Sequence, residues 1–163
     1  MSVTRVYRYM LEVITLPNFS YLSKSGFLTA YEDYISFVCS VPDVDPREVL
    51  NITGKACNAT RGKPSDLNSP SITVSHLEGT QTVKRTVTNV AETETYVVTT
   101  RMSPEVALEA SPAAMTVLAG ASRQVTVSLT VRSVTGRYSF GQILMKGNRG
   151  HKVRIPVVAM AYQ

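Results

Sequence analysis

Residues 125–131 alternate strictly between apolar and hydroxyl-bearing side chains, and this alternation constrains the fold more than any other feature of the chain. Valine or leucine occupies every odd position of the segment, and threonine or serine occupies every even position. Successive side chains of a β-strand point to opposite faces, so the segment predicts a strand with one buried face and one hydroxyl-rich face. Much of the chain after residue 70 is similarly rich in Thr, Val, Tyr and Ile, which are typical of strands.

Seven further segments after residue 70 have the composition of strands, namely residues 71–75, 81–90, 93–101, 106–110, 115–118, 138–145 and 152–161. Turn-forming residues separate them. Seven or eight short strands at about ten-residue spacing predict a mainly β protein, an antiparallel sandwich of the immunoglobulin or fibronectin type III kind. The chain has no tryptophan and no cysteine after Cys57, which argues against a true immunoglobulin domain.

A short helical lead-in is predicted ahead of the strands. Thr29 and Glu32 form a T-x-x-E capping box before apolar residues at spacings of three and four, which predicts a helix over residues 30–40. Asp45 as N-cap, Pro46 at the first helical position and Glu48 as the partner in a second box predict a helix over residues 46–50.

These patterns divide the chain into three regions. The second helix is expected to end at Thr53-Gly54, and a polar connecting loop follows it. Residues 1–28 show no sustained period and stay unassigned. We therefore expect an unassigned segment at 1–28, a helical lead-in with its loop at 29–65, and the β-sandwich at 66–163.

Two cysteines and three glycosylation sequons bear on the compartment of the protein. Cys39 and Cys57 lie eighteen positions apart, which allows either one bridge, worth about 3 kcal/mol for a loop of this size, or two unrelated buried thiols. Asn18, Asn51 and Asn58 begin Asn-x-Ser/Thr acceptor sequences. These features favour an oxidising, secretory history, although the N-terminal apolar stretch makes no convincing signal peptide.

The net charge of +5 gives no clear sign of a polyanion partner. Residues 1–65 carry seven Lys and Arg against six Asp and Glu, and residues 66–163 carry ten against six. The basic residues are spread singly apart from Lys84-Arg85, so we expect no nucleic-acid partner. No run of about 18 apolar residues occurs, so we expect no membrane span.

No catalytic, cofactor-binding or metal-binding pattern stands out in the sequence. His76 and His151 have no acidic or cysteine neighbour at ligand spacing, and we interpret both as solvated loop residues. Ser122, in the sequence Gly-Ala-Ser, leads into a regular strand rather than into the helix that follows a nucleophile elbow. The pattern alone therefore predicts a β-sandwich with no assigned activity.

Segments in four places carry a family resemblance. They are Y-E-D-Y-I-S-F-V-C at 31–39, D-L-N-S-P-S-I at 66–72, K-R-T-V-T-N-V at 84–90, and Y-S-F-G-Q-I at 138–143 with H-K-V-R-I-P at 151–156. In this order, and with both cysteines in place, the chain resembles the C-terminal end of plant subtilisin-like serine proteases, the subtilases. The resemblance covers residues 31–163, which are 133 of the 163.

These segments also have physical interpretations that do not depend on the family. Arg85 lies on the same face of its strand as Val83 and Val87, which we expect to point inward. Because a buried charge needs partners, we expect Arg85 near a sheet margin, paired with a carboxylate or with backbone carbonyls. The alternate residues 84, 86 and 88 are expected to face outward. Tyr138 and Phe140 share one face of their strand.

The resemblance implies an accessory rather than a catalytic role. In the family, a catalytic α/β domain precedes a helix that ends in a cysteine, a second cysteine and a fibronectin type III-like sandwich. The family's catalytic Asp, His and G-T-S-M-A segments are not found in this chain, and K-S-G-F-L-T-A at 24–30 replaces the usual D-P-G-L-V-F-D. We therefore expect a truncated, non-catalytic form that supports a subtilase catalytic domain by interdomain packing.

The resemblance further implies a disulfide and a location. A Cys39–Cys57 bridge would pin the lead-in beside the sandwich, and the protein would be extracellular, in the apoplast or cell wall. The partner would be the catalytic domain or another secreted protein. The alternative is a stand-alone secreted binding or inhibitory module that docks on a protein partner through edge strands or loops.

Overall fold

Short helices lead into two packed β-sheets. The computed structural model describes residues 25–26, 31–42, 44–57 and 62–163. The lead-in contains helices α1 (Tyr31–Ser40) and α2 (Pro46–Thr53) and a 3₁₀ turn at Pro64–Asp66. The strands of the described residues are β1 (Ser25–Gly26), β2 (Ile72–Glu78), β3 (Thr80–Asn89), β4 (Glu94–Met102), β5 (Val106–Ser111), β6 (Ala114–Val117), β7 (Ser122–Val131), β8 (Tyr138–Gly147) and β9 (Lys152–Tyr162).

The strands form a four-stranded and a five-stranded sheet. The strand order is β1-β3-β7-β5 in the first sheet and β2-β9-β8-β4-β6 in the second. All neighbours are antiparallel except β2 and β9, which lie side by side in parallel in the five-stranded sheet. The predicted β-sandwich is confirmed, and the ends of its eight predicted strands differ from the prediction by at most three residues.

The apolar core lies between the two sheets. The odd-numbered side chains Val125, Val127 and Leu129 of β7 are fully buried, and they face Ile143 of β8 and Ile155 of β9 within one cluster. Full burial of an aliphatic side chain of this size is worth roughly 1.5–3 kcal/mol. The apolar side chains that the two-residue period places on the inner faces of the strands therefore supply most of the stabilisation of the sandwich.

Hydroxyl groups cover the outer face of the four-stranded sheet. The Oγ atoms of Thr80 and Thr130 lie 3.0 Å apart, and those of Thr88 and Ser122 lie 2.8 Å apart, in each case across the β3–β7 pair. Thr88, which is expected to face outward, lies on this face with Ser122 but is buried beside β1. This face remains polar, as the alternation at 125–131 predicts.

A small second core holds the lead-in together. Ile35, Cys39 and Val49 are buried against one another, and Cys39 is joined to Cys57 by a disulfide. Because the bridge joins Cys39 in α1 to Cys57, four residues beyond α2, it fixes the segment after α2 to the end of α1. None of the described helices is long and apolar enough to cross a membrane.

The two helices follow most of their predicted signals. Asp45 accepts a hydrogen bond from the Arg47 amide at 2.8 Å, and Gly54 ends α2 with φ of 69°, a left-handed conformation that glycine adopts at no steric cost. Although Glu48 lies within the described chain, it does not close the predicted capping box with Asp45. The predicted cap at Thr29, with residue 30, lies outside the described residues.

Candidate functional site

An apolar patch lies on the outer face of the five-stranded sheet. It consists of Tyr138 and Phe140 of β8 with Val158, Met160 and Tyr162 of β9, and we call it the apolar half. The register pairs Tyr138 with Met160 and Phe140 with Val158, so these side chains are neighbours. Tyr138 is 52% exposed and Phe140 is 64% exposed. Contiguous exposed aromatic surface of this kind marks an interaction site more often than scattered single residues do.

Four basic side chains occupy the other end of the same face. Arg101 of β4, Lys146 of β8, and Lys152 and Arg154 of β9 are all exposed, and we call them the basic half. Lys146 and Lys152 are direct neighbours in the register. Strands β4, β8 and β9 are described throughout, and their outer faces carry no carboxylate because Glu94, their acidic residue, is buried.

A cleft of about 490 Å³ lies where the two halves meet. Its lining residues come from β4, the start of the following loop, β8 and β9, and they are Arg101, Met102, Ser103, Phe140, Gly141, Gln142 and Arg154. Ser103 anchors one wall, because its Oγ donates to the Phe140 carbonyl at 3.0 Å and accepts from the Phe140 amide at 3.1 Å. The cleft therefore has an aromatic wall and two guanidinium groups.

An asparagine side chain joins the segment that precedes β2 to strand β3. Asn68 Nδ2 donates to the Thr86 carbonyl at 3.0 Å, and the Thr86 amide donates to Asn68 Oδ1 at 2.8 Å. The side-chain amide thus pairs with the edge of β3 as a neighbouring strand would. Two of the segments that carried the family resemblance, 66–72 and 84–90, are joined directly by this pair.

Arg85 makes a second, buried connection between the same segments. It is 1% exposed, and its Nη atoms donate to the carbonyls of Ser65 and Ser71 at 2.9 Å each and to the Lys84 carbonyl at 2.8 Å. Burial lowers the pKa of Arg85 to about 10, and the nearby Asp66 carboxylate opposes this shift. The expected pairing of this inward arginine with backbone carbonyls is confirmed.

A carboxylate is buried at the start of β4, at the end of the strand away from Arg101. Glu94 is 2% exposed, accepts hydrogen bonds from the Tyr96 hydroxyl at 3.0 Å and the Arg149 amide at 2.9 Å, and lies 2.6 Å from His151 Nδ1. Burial acts to raise the pKa of Glu94, but the hydrogen bonds from His151, Arg149 and Tyr96 outweigh it and lower the pKa. Gly147 packs so closely on this carboxylate that a Cβ there would overlap it.

The interpretation of His151 as a solvated loop residue is therefore wrong. Its ring is partly buried against Glu94, which is 57 residues away in sequence and carries no local signal of the contact. His76 is exposed, as expected, although it lies within β2, where its ring stacks at 4.1 Å on Tyr162 and its Nε2 pairs with Glu78. Among the described residues, no group of three His, Cys, Asp or Glu side chains could hold a metal ion.

The structure places only some of the site residues predicted from sequence. Cys39 and Cys57 are bonded, and Asn51 is exposed on α2. Asn18 and Asn58 lie outside the described residues. The sequence alone did not predict the basic half. Each of its residues faces the outer side of its own strand, as Tyr138 and Phe140 do, and only the register between β4, β8 and β9 brings them together.

Comparison with known proteins identifies a family model and plant proteases that match this chain. The fibronectin type-III domain model matches residues 66–159. Subtilisin-like protease SBT2.6 of Arabidopsis thaliana is 60% identical over 135 residues, covering 82% of this chain and 16% of that protein. Subtilisin-like protease SBT2.5 of the same plant is 55% identical over 138 residues, covering 84% of this chain and 17% of that protein.

A solved structure with a similar shape is the ASH/PapD-like domain of human CEP192. Its TM-score is 0.48 at 13% identity, and the match covers 68% of this chain and 96% of that one. The chain spans about a sixth of the length of the curated proteases that it matches. The chain therefore belongs to the fibronectin type-III domain family, in the form found in the C-terminal region of plant subtilisin-like proteases.

Proposed function

We propose that the chain is a non-catalytic accessory domain that supports the catalytic domain of a subtilisin-like serine endopeptidase by packing against it. In this proposal residues 29–65 are the lead-in and residues 66–163 are the packing module. The observation that carries the proposal is the apolar half, because it leaves aromatic surface uncovered on one sheet while the outer face of the other sheet is polar. The relatives are about five times as long as the chain, so in them this region adjoins a much larger protein.

The energetics favour the apolar half as the contact. Phe140 and Tyr138 are each more than half exposed, and complete burial of an exposed aromatic side chain contributes roughly 1.5–3 kcal/mol, of which the exposed share is still to be gained. Tyrosine, phenylalanine and methionine are the residues enriched at the centres of protein interfaces, where a few anchors carry most of the binding free energy. Met160 and Val158 fill the space beside the two rings. The patch therefore has the composition of an interface core.

The polar chemistry of the chain supports a non-catalytic role. The match to the family model falls on a fibronectin domain. His151, which has a carboxylate partner, has no hydrogen bond to a serine or cysteine within the described chain, although a nucleophile would need one. A fluorescent serine-hydrolase probe applied to the purified chain is expected to give no labelling, and labelling would contradict the proposal.

Replacing Phe140 with aspartate is the test of the packing role. The host is the complete SBT2.6 protease with its matching region exchanged for this chain. Phe140→Asp is expected to cost about 2 kcal/mol of docking free energy, which is about a 30-fold loss in the docking equilibrium, because the carboxylate must be desolvated where a ring was covered. Thermal unfolding of the exchanged protease measures the loss.

Leu118→Asp is the matched control for that test. Leu118 is also an exposed large apolar residue, at 54%, but it lies beyond β6 rather than on the outer face of β8 and β9. In the isolated chain both substitutions should change stability by less than about 0.5 kcal/mol, since both side chains are exposed. Equal effects of the two substitutions in the exchanged protease would contradict packing through the apolar half.

The disulfide and the exposed sequon support an extracellular location. The Cys39–Cys57 bridge suits an oxidising compartment, and Asn51 is accessible on α2. Thiol titration of the secreted protein is expected to find no free cysteine, and deglycosylation is expected to reduce the mass of a peptide that contains Asn51. Reduction should cost the lead-in about 3 kcal/mol. Two reactive thiols in the native protein would refute this location.

A further inference from the structure

The basic half is concentrated and unpaired. None of Arg101, Lys146, Lys152 and Arg154 forms an ion pair with another of the described residues, whereas Lys55 and Arg149 elsewhere in the described chain each pair with a glutamate. The outer faces of β4, β8 and β9 offer these four charges no carboxylate. Four like charges on one sheet face repel one another, which works against the folded chain by itself. A ligand of opposite charge would relieve that repulsion.

The strand register brings two of these charges to the same cleft. Arg101 is the direct neighbour of Gln142, and Arg154 is opposite Leu144, the next outward residue of β8. Both guanidinium groups consequently border the cleft, with Gln142 between them. A guanidinium is a planar fork that binds carboxylates through two parallel hydrogen bonds. The cleft has the size and the donors for one or two carboxylate side chains.

Phe140 links this cleft to the apolar half. It belongs to the aromatic patch and also forms a wall of the cleft. A partner that covers the apolar half must therefore pass beside the two arginines. A protein segment can present apolar and acidic side chains next to each other, and the five side chains of the apolar half carry no positive charge for a polyanion.

We infer that the basic half is a carboxylate-binding surface, and that the part of the protease that docks on the apolar half presents Asp or Glu side chains to Arg101 and Arg154. This inference rests on the proposed packing function and specifies its partner. The apolar half supplies most of the affinity, and the arginines fix the orientation of docking. Docking then depends on ionic strength, because the arginines are exposed at the rim of the contact.

Charge reversal in the exchanged protease tests the inference. The double variant Arg101→Glu with Arg154→Glu is expected to weaken docking about 10-fold or more and to reverse its salt dependence, so that added salt strengthens docking, since attraction becomes repulsion. The control is Lys84→Glu with Arg123→Glu, which reverses two exposed charges on β3 and β7 of the four-stranded sheet, away from the basic half. Unfolding midpoints at low and high salt report both effects.

The outcomes separate this inference from the proposed function. If Phe140→Asp lowers the midpoint and the arginine reversals act no more strongly than the control, the packing role stands and the carboxylate inference fails. If Phe140→Asp has no effect, the packing role itself fails. Saturable binding of a single-stranded oligonucleotide to the isolated chain, lost in the double variant, would also overturn the inference, because the basic half would then be a nucleic-acid surface.

Discussion

Replacing Arg85 with methionine is expected to lower the free energy of unfolding of the chain by about 3 kcal/mol. The guanidinium donates to the buried Ser65 carbonyl and to the partly buried Ser71 carbonyl, and a hydrogen bond from a charged group is worth about 1.5–3 kcal/mol. Methionine fills similar space but removes the guanidinium donor from both carbonyls, of which the Ser71 carbonyl keeps a hydrogen bond from the Ser69 hydroxyl. Urea unfolding of the isolated chain, followed by circular dichroism, measures the difference.

Lys84→Met is the matched control for Arg85→Met. Lys84 is the preceding residue on β3, and its side chain is exposed, so its substitution should change stability by no more than about 0.5 kcal/mol. Arg85→Met should also make the lead-in, which Arg85 fastens to the sandwich, more susceptible to proteolysis. Equal stability of the two variants would show that the buried guanidinium does not hold the lead-in.

Replacing Glu94 with alanine is expected to cost about 2–4 kcal/mol. The substitution removes the shared acceptor of hydrogen bonds from the Tyr96 hydroxyl, the Arg149 amide and His151, and a hydrogen bond to a charged group is worth about 1.5–3 kcal/mol. It also opens a space beside Gly147, which packs against the carboxylate. Urea unfolding measures this loss, and Glu109→Ala, on exposed β5 surface, is the control. A loss at Glu94 no larger than at Glu109 would contradict the hydrogen-bonded cluster.

The lowered pKa of Glu94 also makes this stabilisation dependent on pH. The folded pKa lies below the ordinary value of 4.5, so the unfolded chain takes up the proton first as the pH falls. The stabilisation is therefore complete above about pH 5 and is lost as the pH falls through the folded pKa. Glu94→Gln should show a smaller decline over that acidic range. Parallel pH profiles for the two proteins would contradict this assignment.

The strands could be predicted because their signal is local. The alternation in 125–131 and the turn residues between the segments specify β7 and its neighbours without knowledge of the rest of the chain. β1 was missed because two residues, Ser25 and Gly26, carry no measurable period. The parallel pairing of β2 with β9 was also missed, since the partner of a strand depends on the whole fold and not on the strand's own residues.

The partners of the polar side chains could be predicted from the sequence only in part. The inward parity of Arg85 already indicates a buried charge with carbonyl partners, but the identities of Ser65 and Ser71 require the structure. No local pattern predicts the contact between His151 and Glu94, which are 57 positions apart in the sequence. The basic half was interpreted as scattered surface charge because its four residues are spread over 54 positions of sequence, and strand register alone collects them.

Hydroxyl-radical labelling of the apolar half tests the packing role most directly. The labelling of Tyr138, Phe140 and Met160 is compared between the isolated chain and the SBT2.6 protease that carries the chain in its matching region, with Tyr31, exposed on α1, as an internal reference. If the chain packs through its apolar half, labelling of these three residues falls about tenfold or more in the protease relative to Tyr31, in line with their burial at an interface core. Unchanged labelling would contradict the packing role.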